Sequence, residues 1–212
     1  MFSDYSLTGF LDDLSSRKPM PGGGGASAVA GAMAASLGAM VANLTSGKKR
    51  YAEVQDQIDE ILPEAERLRD RMLELAQEDA DAFYPLSQAY GLPKETEGER
   101  AYKAEVMEQA LRRASEPPLH IMECTCEVMD LLETLSTIGS RMVISDVGVG
   151  AAFCEAALKG ASFNVFINAK SMQDRDYADE LVAKAQGLLD DGCTKADTIY
   201  KQVERGIRWS RS

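Results

Sequence analysis

The stretch PGGGGASAVAGAMAASLGAMVANLTSG, residues 21–47, holds no charged residue, and its reading decides the fold. Gly31, Ala35, Gly38 and Ala42 recur at helical spacing, which leaves one face of a helix nearly smooth. Alanine favours a helix and glycine opposes it, so the segment must gain its order from close packing against other helices. A bilayer span needs about 20 mostly apolar residues, and length alone would permit one. The glycines at the start and the Gly, Ala, Ser and Asn content favour a helix buried inside a protein, and no membrane association is expected. The helix is expected over residues 26–45. The preceding RKPMPGGGG, residues 17–25, reads as a bent loop whose backbone can approach another group closely.

Outward from this core, a short first helix is expected over residues 3–16, with Phe2, Leu7, Phe10, Leu11 and Leu14 supplying an apolar stripe. SGKKRY, residues 46–51, breaks the chain and gathers three positive charges. A long amphipathic helix follows over residues 51–89. Its stripe is Ile61, Ala65, Leu68, Met72, Leu75, Ala76, Phe83 and Leu86, with turns or kinks expected at Pro63 and Pro85. GLPKETEGER, residues 91–100, reads as a surface loop. A helix over residues 97–115 should end before Pro117 and Pro118, and another over residues 119–138 should stop at Gly139. SDVGVGAAFCEAAL, residues 145–158, is helical from about Val147, with Ser145 or Asp146 as cap. ASFNVFINAK, residues 161–170, also reads as helix, because a lone strand would leave backbone groups unpaired. A last amphipathic helix spans residues 175–205, with a break admitted at 190–193. The expected fold is all-α: a compact bundle of long amphipathic helices around a buried Gly/Ala-rich helix, in a single domain over residues 1–212.

The formal net charge of −11 leaves no basic surface to neutralise phosphates, so no nucleic-acid partner is expected. Cys124 and Cys126 lie two apart and one histidine, His120, is present. Neither fits a metal-ligand spacing, so no metal is expected, and the four cysteines read as free thiols of a reducing compartment. The N-terminus lacks the basic start and apolar core of a signal peptide, which suits a cytoplasmic protein.

Several separated blocks carry a resemblance. PMPGGGGASAVAGAMAASLGAMVANLTSGKKRY (19–51), EDADAF (78–83), AYGLPK (89–94), ISDVGVG (144–150) and FNVFINAK (163–170) together resemble the formiminotransferase-cyclodeaminase C-terminal family, which includes stand-alone methenyltetrahydrofolate cyclohydrolases. The likeness covers nearly the whole chain. It implies an all-helical homodimer without a prosthetic group, acting on a tetrahydrofolate derivative as its one-carbon substrate. The implied reactions are reversible hydrolysis of 5,10-methenyltetrahydrofolate to 10-formyltetrahydrofolate or, as the alternative, closure of 5-formiminotetrahydrofolate with release of ammonia. GLPK and NVFINAK make the chain look more like the cyclohydrolases.

Such hydrolysis needs water directed at an electron-poor carbon between two nitrogens, and a proton for the nitrogen that leaves. Asp79 falls on the apolar stripe of its helix, where a carboxylate is costly unless paired or needed, and it is the first catalytic candidate. Asp146, the only charged residue in MVISDVGVG, is the second, with a helix cap as its other reading. Lys49 is assigned an acid/base or orienting role and Arg50 the glutamate tail of the substrate; neutralising the preceding helix end is the plainer role for that cluster. Gly22, Gly23, Gly24, Gly25 and Ser27 offer backbone N–H groups at a helix start, suited to an oxygen of the substrate or to a tight turn. Asn43, Asn164 and Asn168 can give and accept hydrogen bonds at a pterin edge, and Asp81 is a weaker folate-binding candidate nearer the polar face. A non-catalytic folate-binding or helical interaction protein is the competing reading. Convergence of Asp79, Asp146 and SGKKRY in one pocket favours the enzyme.

Overall fold

The structure is a computed structural model and describes residues 5–208. Among the described residues there are six α-helices and no strand, so the all-α expectation holds: α1 (Leu7–Leu14), α2 (Gly23–Asn43), α3 (Gln55–Tyr90), α4 (Glu97–Ile138), α5 (Ile144–Ser171) and α6 (Arg175–Arg208). Short 3-10 segments, Lys49–Val54 and Arg141–Val143, lead into α3 and α5. Phe2 and Ser3, assigned to the first helix from sequence, lie outside the described residues. Ser6 caps α1 by accepting from the Gly9 N–H at 3.0 Å.

Helix α2 is the hub. It packs against α3, α5 and α4, while α5 also packs on α4 and α6. Its small residues Ala28, Ala34, Ala35 and Ala42 are fully or almost fully buried, as tight helix approach requires. By length and composition α2 could cross a membrane; in this fold 61% of its most apolar window is buried inside the protein. The stripe of α3 turns Ile58, Leu68, Met72, Leu75 and Leu86 into the core, and α6 contributes Ala178, Leu181, Ala185, Ala196, Ile199 and Val203 at helical spacing. A capping box between Thr96 and Glu99 starts α4.

Four boundaries differ from the sequence expectation. First, α2 begins at Gly23, with Gly22 as its cap, so three of the four glycines are helical. Of these, Gly24 is pressed by a neighbour: a side chain there would run into the Asp79 carboxylate. Second, Pro117 and Pro118 lie inside α4 and do not end it. A proline at 118 cannot donate to the carbonyl four residues back, Ala114, and that carbonyl instead accepts from Nδ2 of Asn168 on α5 at 3.0 Å. Third, α6 runs unbroken through residues 190–193. A side chain at Gly192 would meet Leu158 and Met129, so this glycine marks the close approach of α5 and α6. Fourth, Pro63 and Pro85 interrupt nothing in α3, and residues 144–171 form one helix capped at Val143, so Ser145 and Asp146 lie inside its first turn and neither is its cap.

Candidate active site

A cavity of about 260 Å³ opens where the N-terminus of α2 meets the C-terminal third of α3 and the C-terminal half of α5. Gly22, Gly23 and Gly24 form one wall, Asp79 and Asn164 its polar lining, and Phe83, Tyr90 and Ile167 its apolar side. Helix geometry leaves the first amides of α2 without intrahelical partners, and the cap residue Gly22 brings no side chain to them. Asp79 supplies the missing acceptor from α3: its carboxylate takes a hydrogen bond from the Gly25 backbone N–H. The amides of Gly23 and Gly24 belong to the same exposed end of the helix, where partial positive charge gathers.

The Asp79 carboxylate has two influences acting in opposite directions. Burial raises it and the Gly25 N–H lowers it; burial dominates, and its pKa is pushed up from 3.8 to about 6. Among the described residues no lysine, arginine or histidine forms a salt bridge with it. A carboxylate poised near neutrality without a resident cation can take a proton and return it.

Two asparagines complete the polar side. Asn164 donates Nδ2 to the Gly160 carbonyl at 3.0 Å and faces Gly23. Asn168 is buried, and its donation to Ala114 fixes which way the amide points. In both, one N–H of the amide is engaged by backbone, which leaves the carbonyl oxygen and the second N–H for other partners.

The remaining sequence candidates lie elsewhere. Ser27 is buried, donates to the Gly23 carbonyl at 2.7 Å and packs against Gly160; it holds α2 to α5 and does not line the cavity. Gly25 also lies behind the wall, beneath Pro21. Asp81 accepts from Gln77 at 2.9 Å and lines a separate surface depression with Glu78, Arg113 and Glu116. Its place two residues after Asp79 turns it to another side of α3, as the helical repeat dictates.

Asn43, Lys49, Arg50 and Asp146 gather at the opposite end of the bundle. Helix α2 has 21 residues, so Asn43 and Gly23 are separated by about 30 Å along its axis. There the buried Thr45 hydroxyl accepts from the Ser140 N–H at 2.9 Å, the Tyr51 hydroxyl accepts from the Arg141 N–H at 3.0 Å, and Lys48 donates to Ser140 at 3.3 Å. These bonds tie SGKKRY to the start of α5, whose first turn carries Asp146. Lys49 and Arg50 are exposed, and Asn43 is exposed with them. Within one protomer, therefore, Asp79 does not converge with Asp146 and the basic segment. The helical repeat gives the face of a residue but not which end of the bundle it occupies.

Phe83, Tyr90 and Ile167 line the cavity but were not singled out from sequence. Phe83 read as core because it lies on the apolar stripe, although its position four residues after Asp79 was a signal that the two share a site.

The chain matches the formiminotransferase-cyclodeaminase family over residues 6–187. It is 40% identical to a methenyltetrahydrofolate cyclohydrolase of Methylorubrum extorquens, across 98% of this chain and all of that protein. It is 30% identical to the formimidoyltransferase-cyclodeaminase of Mus musculus, across 95% of this chain and 37% of that longer protein. The crystal structure of a formiminotetrahydrofolate cyclodeaminase from Thermotoga maritima superposes with a TM-score of 0.82 at 30% identity, covering 98% of each chain.

Proposed function

Because the chain belongs to the formiminotransferase-cyclodeaminase family, we propose that it is a methenyltetrahydrofolate cyclohydrolase, hydrolysing 5,10-methenyltetrahydrofolate to 10-formyltetrahydrofolate. The observation that carries the mechanism is the Asp79 carboxylate, held without a cation at the N-terminus of α2. The cationic methenyl bridge attracts this carboxylate when substrate binds. Asp79 removes a proton as water adds to the bridging carbon, then returns it to the ring nitrogen N5 as the carbon–N5 bond breaks, leaving the formyl group on N10. The net reaction consumes one water and releases one proton. The Gly23 and Gly24 amides suit the oxygen that gains charge during the addition, and the Asn164 and Asn168 carbonyl oxygens suit donors on the pterin edge.

The same reading has the enzyme work as a homodimer. Met33 and Met40 of α2, Leu44 at its C-terminal cap, and Val149 and Phe163 of α5 are exposed large apolar residues on neighbouring helices. An apolar face of this kind favours burial against a partner, and a second copy in two-fold pairing is the occupant that fits. A two-fold axis across this face lays the basic end of one copy over the cavity end of the other. Asn43, Lys49, Arg50 and Asp146 of one subunit then serve the Asp79 cavity of its partner, with Arg50 taking the glutamate carboxylates. We place this single-domain enzyme in the cytoplasm, where its four free cysteines stay reduced, and assign it no prosthetic group.

Loss of methenyltetrahydrofolate absorbance, corrected for spontaneous hydrolysis, tests the reaction. Turnover by the parent and its loss in Asp79→Asn support the assignment. A parent no faster than buffer overturns it, and ammonia release from 5-formiminotetrahydrofolate is then the next assay, as suits a relative of the Thermotoga maritima formiminotetrahydrofolate cyclodeaminase.

A further inference from the structure

The cavity has a polar end and an aromatic end, and the two are joined by one face of α3. Asp79, Phe83 and Tyr90 all line it. On a helix, residue 83 sits one turn beyond 79 and residue 90 sits three turns beyond, within about 20° of the same direction and about 16 Å along the axis. Ile167 of α5 lines the same apolar side. Tyr90 is 55% exposed and Ile167 61% exposed, a large open apolar surface beside a half-buried carboxylate.

The chemistry of the substrate sets a requirement on this layout. The methenyl carbon lies between the pterin and the aminobenzoyl ring, so with that carbon beside Asp79 the two rings must leave in different directions. Glycine amides and asparagine oxygens lie toward α2, matching a pterin edge. Phe83 and Tyr90 lie along α3 with Ile167 of α5 beside them, and their chemistry matches a flat ring without donors at its faces.

Tyr90 is also held in place. It is the last residue of α3, and Lys103 of α4 donates to its carbonyl at 2.7 Å and to the Leu92 carbonyl at 2.9 Å. Arg100 donates to the Glu95 carbonyl at 2.8 Å. The GLPKET turn is thus fastened at both ends, and the side chain at its start has a fixed base.

We propose that Tyr90, with Phe83 and Ile167, forms the subsite for the aminobenzoyl-glutamate half of the substrate, and that Lys103 is the residue that positions Tyr90. The inference rests on the cyclohydrolase reading for its substrate. Tyr90 then sets the discrimination between a complete reduced folate and a bare pterin.

The test combines turnover with binding of p-aminobenzoylglutamate, measured by calorimetry on the full-length protein. Tyr90→Ala is expected to raise KM for methenyltetrahydrofolate about tenfold or more with a much smaller change in kcat. It should weaken p-aminobenzoylglutamate by a similar factor while leaving a pterin fragment bound as in the parent. Tyr90→Phe should restore most of both, and Lys103→Met should move both in the direction of Tyr90→Ala. Tyr84→Ala, an exposed tyrosine of α3 outside the cavity, should change neither. An unchanged KM in Tyr90→Ala, or equal weakening of both fragments, overturns the subsite. Because fragment binding needs no turnover, an inactive parent whose p-aminobenzoylglutamate binding still depends on Tyr90 overturns the reaction and retains the subsite.

Discussion

The Asp79 carboxylate lies against the Cα of Gly24, in space that any side chain at position 24 would occupy. Two consecutive helices therefore meet at a point with room for a carboxylate and for nothing more. Gly24→Ala tests this directly. Alanine improves helix propensity by up to about 1 kcal/mol, but its Cβ forces the short Asp79 side chain out of position. We expect activity to fall by about a hundredfold or more, with thermal stability changed little. An active Gly24→Ala protein would show that Asp79 need not sit where it does.

Asp79 also links activity and stability to pH. Its folded-state pKa of about 6 lies above the ordinary 3.8, so between these values the folded protein binds more protons than the unfolded chain. The stability contributed by this group is fully present below about pH 4 and is lost as pH rises through 6. At neutral pH the half-buried anion is a penalty on the order of 2–3 kcal/mol. Asp79→Asn removes it and is expected to melt several degrees higher at pH 7.5, with the gain vanishing near pH 4, while turnover is lost. The kcat/KM of the parent should fall as pH drops below about 6. Urea unfolding at the two pH values and a pH–rate profile check both halves; a variant less stable than the parent at pH 7.5 would mean that Asp79 serves mainly as the cap of α2.

How much of this was legible in the sequence depends on which neighbours an argument needs. The face of α3 that carries Asp79 follows from residues 75, 76 and 83 alone, because helical neighbours are local. The opposite ends of α2 are equally local, yet grouping Lys49 and Asn43 with Asp79 required knowing which helix end each helix start abuts. Pro117 and Pro118 read as a stop because their missing donors are visible in sequence, whereas the donor that compensates, Asn168, lies 54 residues from Ala114. Gly192 read as a break and Gly24 as a turn for the same reason: each glycine answers to a side chain on another helix.

That compensation yields a double-mutant prediction. Asn168→Ala leaves the Ala114 carbonyl without its donor, and an unpaired buried polar group costs about 1–3 kcal/mol. Pro118→Ala restores a backbone N–H four residues on. Asn168→Ala should therefore destabilise the Pro118→Ala background by much less than the parent, with a coupling of about 1 kcal/mol in denaturant unfolding. Additive effects would mean that the α4 carbonyl does not depend on α5.

The separation of Lys49 from Asp79 by nearly the length of α2 supplies the last prediction. If both residues act in one site, they must come from different chains. Asp79→Asn and Lys49→Met homodimers should then each be nearly inactive. Unfolded together and refolded as a mixture, they should form heterodimers in which one of the two sites carries both native residues. Random pairing makes half of the dimers heterodimers, so with one intact site in each the recovered activity should approach a quarter of the parent. Arg50→Glu combined with Asp79→Asn in the same chain makes the opposing arrangement: mixed with the parent, it places both defects in different sites of one heterodimer and should lower activity below the value set by dilution. Activity of the first mixture that stays at the sum of its two inactive parents would show that Lys49 has no part in the Asp79 site and that its role is at the end of α2, where the helix carbonyls already favour a cation.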